Sequence, residues 1–69
     1  MKLSARNVLK GKIKQVKKGA VNSEVVLEVS KGLEVVSIIT NESVDKLQLA
    51  AGKDTYAVIK ASNVMIAVD

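Results

Sequence analysis

Four short stretches of the 69-residue sequence gather groups that can donate hydrogen bonds: Ser4-Ala5-Arg6-Asn7, Lys18-Gly19-Ala20 beside Lys17, Thr40-Asn41-Glu42-Ser43, and Lys60-Ala61-Ser62-Asn63. An oxyanion without protons offers acceptors only. It is held by Arg and Lys for charge, Ser and Thr hydroxyls as short donors, and backbone N–H groups in turns or at helix starts. Each stretch also has a plainer reading. Thr40 and Ser43 serve to cap a helix, and Lys60 is a solvated strand end. Lys10, Lys12 and Lys14 form an exposed strand face that guards an edge against aggregation.

Other chemistries are poorly supplied. The chain has no Cys, His, Trp, Phe or Pro. It therefore has no disulfide framework, no thiolate nucleophile or zinc site, and no imidazole base or metal ligand. Glu24, Glu28 and Glu34 fall on predicted strands as solvated residues, and no Ser has a base to activate it. The expectation is a binding protein, not an enzyme, without a catalytic cofactor and without directly bound metal cations. Tyr56 is the only aromatic residue, which leaves little to stack bases on.

Charge is unevenly spread. Residues 1–18 carry seven cations and no acid, whereas residues 19–69 carry four Lys and seven acids, for a formal net charge of +4. No apolar run is long enough to span a membrane. The opening Met1-Lys2-Leu3-Ser4-Ala5-Arg6-Asn7 lacks the apolar stretch of a secretory signal. A cytoplasmic address without membrane association is expected.

The elements that must position these groups are mostly strands. Apolar or small residues alternate with Lys10, Lys12 and Lys14 over Leu9–Ile13, and the phase slips at Val16, predicting a bulge or bend. Lys18-Gly19-Ala20 reads as a turn in which Gly19 takes a positive φ. Ser23–Val29 is a second strand, Ser30-Lys31-Gly32 a hairpin turn, and Leu33–Thr40 a third strand. That strand is apolar on both faces, so it is either central or covered by another subunit. Asn41–Leu49 is a short helix capped by Thr40 or Asn41 and ended by a left-handed Gly52. Thr55–Lys60 is a fourth strand, Ser62 or Asn63 caps a tight turn, and Met65–Val68 is a short fifth strand. The fold class is mainly β: a five-stranded OB-like barrel with one short helix. So short a chain with 48% apolar residues has more aliphatic surface than its own core can hide, and an oligomer is expected.

Ser4-Ala5-Arg6-Asn7 followed by Leu9-Lys10-Gly11-Lys12-Ile13 resembles the opening of the molbindins, small free-standing members of the TOBE domain family. The likeness continues through Lys18-Gly19, Glu24-Val25, Ser37-Ile38-Ile39-Thr40 with Ser43, Gly52-Lys53, and Lys60 leading to Val64-Met65-Ile66. It covers essentially the whole chain, residues 1–69 as one TOBE domain. The resemblance implies OB-like barrels that pair by exchanging strands and gather into a hexamer, a trimer of dimers. It implies binding of molybdate, and tungstate, as the free oxyanion between subunits, for intracellular storage or homeostasis. Carried over by position, one site uses Ser4, the Ala5 backbone, Arg6, Lys60 and the Ala61 backbone, with Thr40 and Ser43 from the neighbouring subunit. A second site is assigned to the Gly19-Ala20-Val21 turn.

Two other readings stand beside this one. A basic OB-like module could bind nucleic acid, against which stand the single aromatic and the modest net charge. A purely structural oligomerisation domain could carry incidental anion sites.

Overall fold

The computed structural model describes all 69 residues. Its organising element is β1 (Asn7–Lys18), a long strand that changes partners halfway along. Asn7–Lys12 pairs antiparallel with β4 (Asp54–Ile59), and Lys12–Lys18 pairs antiparallel with β2 (Asn22–Ser30). The alternation read from the sequence sends Ile13 into the core and leaves Lys12 and Lys14 in solvent. One extra residue, Lys14, is accommodated between Ile13 and Gln15. This is the predicted bulge, two residues ahead of Val16. Val16 is where the shifted phase becomes visible, and the slip itself lies at the polar residue Lys14, between Ile13 and Gln15. A bulge adds local twist, and Gly11 lets the two backbones close at the bend. A Cβ at Gly11 would lie 2.6 Å from the Glu28 carbonyl oxygen and 3.1 Å from Val29 Cα.

The hairpin into β3 (Leu33–Thr40) forms as expected, and the sheet order is β3-β2-β1-β4. The sheet curls into a half-barrel around Ile13, Val25, Leu27 and Val44. Val16, Ile39, Leu49 and Ala57 pack against them. β3 and β4 are both edges. Between them opens an apolar groove of about 400 Å³, with Val35, Ser37 and Ile39 on one wall and Ala57 and Ile59 on the other. β3 is therefore not central: Val36 and Ile38 on its outer face are about 60% exposed.

The helix, α1 (Asn41–Lys46), is shorter than predicted. Leu49 N–H donates to Val44 O and Gln48 N–H to Asp45 O, the paired bonds of a Schellman ending. Gln48 takes the left-handed conformation at φ 53°, and Gly52 is left-handed as expected at φ 89°. The Val44 and Leu47 spacing suggested a longer helix, but the Gln48 ending stops it. Lys53 Nζ donates to the carbonyls of Leu47 (2.8 Å) and Gln48 (3.2 Å), and so supports this ending. Gly19 does not have a positive φ. What fixes a glycine there is crowding, since a Cβ would lie 2.8 Å from the Asn22 carbonyl oxygen.

The fifth strand does not form within the protomer, so the sheet has four strands, not five. After a 3₁₀ turn at Ala61–Asn63 the chain runs on as an arm. Met65, Ile66 and Val68 are each more than 85% exposed. Strand-like composition gives no strand without a neighbour to complete its hydrogen bonds, and this arm has none in its own chain.

Three ion pairs tie β1 to three other elements: Lys12–Asp54 (2.8 Å) to β4, Lys14–Glu34 (2.6 Å) to β3, and Lys18–Asp45 (2.7 Å) to α1. The hydrogen bond from Lys12, followed by its charge, holds the Asp54 carboxyl below its ordinary range. The hydrogen bond to Glu34, followed by its charge, holds the Lys14 ammonium above its ordinary range. No helix is long and apolar enough to cross a membrane.

Candidate functional site

The N-terminal and C-terminal donor stretches meet because β1 begins where β4 ends. Asn7 faces Ile59 in the antiparallel register, so Ser4-Ala5-Arg6 leads into the sheet beside the point where Lys60-Ala61 leaves it. The Asn7 side chain fastens this junction, its Nδ2 donating to the Ile59 carbonyl at 3.2 Å. Ser4, Arg6, Lys60 and Ala61 are exposed and Ala5 is half-buried. Neither Arg6 nor Lys60 belongs to any of the three ion pairs, so both bring positive charge without a carboxylate partner. The tight turn after Lys60 engages the Lys60 and Ala61 carbonyls, which accept from Asn63 N–H and Val64 N–H. It makes no use of the Ala61 N–H, as expected at the start of a helical turn.

The hydroxyl pair lies at the other end of the sheet. Thr40 ends β3 and caps α1, its Oγ1 accepting from Ser43 N–H at 3.1 Å and donating to Ser43 Oγ at 2.9 Å. Capping thus uses both functions of Thr40, while Ser43 Oγ keeps its own proton for an outside acceptor. Glu42, the carboxylate between them, is exposed. Thr40 pairs with Asn22, next to the Lys18 end of β1, whereas Arg6 precedes its Asn7 end. The whole of β1, twelve residues, lies between these two ends. One protomer therefore brings Ser4, Ala5, Arg6, Lys60 and Ala61 together but keeps Thr40 and Ser43 apart from them.

The Gly19-Ala20-Val21 turn is tightly engaged. Gly19 N–H donates to Asn22 O at 2.8 Å, and Asn41 N–H donates to Val21 O at 2.8 Å. Asn41 Nδ2 donates to Gly19 O at 2.9 Å, and buried Ser23 donates its hydroxyl to Asn41 Oδ1. The Gly19 N–H is thus occupied within the turn and is not available to an anion. Alongside lies a polar hollow of about 250 Å³ whose lining includes Lys17, Lys18, Asn22 and Glu24. Sequence reasoning considered Asn41 only as a cap and gave Asn7 no role. Both act by bridging elements distant in sequence, and only a known strand register reveals that.

The sequence profile of the TOBE domain matches residues 3–66. Molybdenum-pterin-binding protein 3 of Clostridium pasteurianum is 52% identical over 66 residues, covering 96% of this chain and 97% of that protein. The structure of a molybdate-binding protein from Sporomusa ovata superposes with a TM-score of 0.92 at 37% identity, covering 99% of this chain and all of that one. The cytoplasmic molybdate-binding protein ModG, in a form with molybdate bound, superposes with a TM-score of 0.90 at 49% identity over 94% of this chain and 46% of that one. With a half-barrel whose donors collect where β1 begins and β4 ends, and with full-length relatives of this kind, the chain belongs to the TOBE domain family, among its small molbindin-type members.

Proposed function

We propose that this chain, as one TOBE unit over residues 1–69, binds molybdate, with tungstate as a competitor, at seams between copies of itself, and serves intracellular molybdenum storage or homeostasis. The observation that carries the reading is the division of the donor set. Ser4, Arg6, Lys60 and the Ala5 and Ala61 backbones gather at one end of β1, with two cations lacking carboxylate partners. Thr40 and Ser43 sit at the other end. A second copy supplies the missing half. Molybdate is a tetrahedral dianion with four acceptor oxygens, so a site of donors suits it. Sulfate has the same charge but is smaller, so donors spaced for molybdate cannot all reach it and it binds more weakly.

Assembly is supported by what one protomer leaves open. The groove between β3 and β4 is lined mostly by apolar residues, and the arm beyond Asn63 is a strand-like sequence without a partner. Exchange of arms between copies fills the groove of each, and a hexamer built from such dimers is the expected state. Ligand held across a seam then stabilises the assembly by mass action.

The test combines three measurements on the purified protein: elemental analysis for molybdenum and tungsten, calorimetric titration with molybdate, tungstate and sulfate, and sedimentation. Retained metal or tight titration by both larger anions, weak competition by sulfate, and a hexameric mass are expected. No molybdate binding, or binding by a stable monomer with unchanged affinity, would overturn the reading. The nucleic-acid reading loses ground because three of the five β1 lysines are held by acids within 2.8 Å. No binding to single-stranded DNA at low salt is expected.

A further inference from the structure

We infer that Asn7 is a positioning residue for the oxyanion, acting through the Ile59 carbonyl to fix the spacing between Arg6 and Lys60. The inference rests on the molybdate reading above and adds to it a residue that sets selectivity. Arg6 and Lys60 stand on separate chain segments, one entering the sheet and one leaving it, just past the end of the edge strand β4. Backbone pairing ends at Asn7 and Ile59, and beyond that rung nothing in the ladder fixes how far apart the segments lie. Asn7 is half-buried, and its amide reaches across the last rung to Ile59 O. One residue on either side of this clamp lies a cation that no carboxylate restrains.

The chemistry of size discrimination makes this clamp consequential. Two tetrahedral dianions of equal charge are told apart only by how rigidly the donors are spaced, since flexible donors close around the smaller ion as readily as around the larger. Long Arg and Lys side chains are adaptable, so rigidity has to come from the backbone that carries them. In metal sites, groups that orient the coordinating residues without touching the metal change affinity by roughly 10-fold or more when removed, and the same logic holds for donors to an oxyanion. Asn7 is placed to be such a group.

The experiment compares wild type, Asn7→Ala, Asn7→Leu and Arg6→Ala by calorimetric titration with sodium molybdate and, separately, sodium sulfate, with Tm and sedimentation recorded for each. Asn7→Leu keeps branching and size and removes the amide, donor and acceptor alike, so it serves if Asn7→Ala does not fold. Expected for the Asn7 variants are about a tenfold weaker molybdate Kd, a smaller preference for molybdate over sulfate, and an unchanged number of sites per protomer. A purely structural role would lower Tm or the number of competent sites and leave Kd and the preference of the folded fraction as in wild type, and that result would overturn the inference. If wild type itself bound no molybdate, the functional reading would fail first. If Arg6→Ala lost binding while both Asn7 variants matched wild type, only the role of Asn7 would fall.

Discussion

Arg6 and Lys60 are the two cations that flank the Asn7–Ile59 rung, and neither meets a carboxylate. Lys12, Lys14 and Lys18 each meet a carboxylate within 2.8 Å, so replacing one of them releases an acid and disturbs strand packing. Replacing Arg6 or Lys60 breaks no ion pair within the protomer, and under the proposed function it removes a donor to the oxyanion. A hydrogen bond to a charged group contributes about 1.5–3 kcal/mol. Arg6→Ala and Lys60→Ala should each weaken molybdate binding at least tenfold by titration while sedimentation stays unchanged. Another residue-scale expectation concerns Gln48, whose φ of 53° is a conformation in which a Cβ is crowded. Gln48→Gly removes that crowding, partly offset by the greater freedom of Gly in the unfolded chain. It should raise stability by about 0.5–1 kcal/mol in urea titration.

The elements show how far the sequence could be read. Alternation in β1, the runs of strand-forming residues in β2, β3 and β4, and the glycine at the hairpin foretold four strands, because local pattern and turn chemistry agree there. Thr40 as the cap and the Ser4–Arg6 and Lys60–Ala61 pairing were legible too, the first from local spacing and the second from the family resemblance. The fifth strand misled because alternation reports a chain's readiness to pair and says nothing of a neighbour. The helix end was misplaced because a left-handed Gln carries no compositional flag. Asn7 and Asn41 were missed because their partners, Ile59 and Gly19, are 52 and 22 residues away. Gly11 carries the element-scale prediction. Gly11→Ala forces β1 off the Glu28 carbonyl and should cost about 1–3 kcal/mol, seen as a lower midpoint in urea.

The ion pairs between elements set a pH profile. Asp54 is held below its ordinary value of 3.8, so its contribution is present above that value and lost as pH falls through the depressed one. Lys14 is held above its ordinary value of 10.5, so its contribution is present below 10.5 and lost as pH rises through the raised value. The Tm should be level between about pH 5 and 9.5 and fall on both sides. Both pairs are exposed, so the shoulders should be shallow and fade at high salt. Asp54→Asn should remove its share of the acid shoulder.

At the scale of the whole molecule, the balance between core and surface is lopsided. Six residues of 69 are buried, while Val36, Ile38, Met65, Ile66 and Val68 are all more than half exposed. A chain ending at Asn63 keeps every strand and the helix but loses the arm. It should sediment as a smaller species at micromolar concentration and bind molybdate weakly. Retention of the full-length assembly by that shorter chain would show that the groove is closed by something other than the arm.

The two bare flanks of the half-barrel also bear on how cells must make this protein. A lone copy fresh from the ribosome presents a free ladder on either side of an oily cleft, with a sticky tail beside it, and such edges invite end-to-end growth into fibres. Closed rings escape that fate because every flank finds a mate, whereas head-to-tail chains do not. Under the proposed assembly, capture by sister copies would shield these edges from such growth.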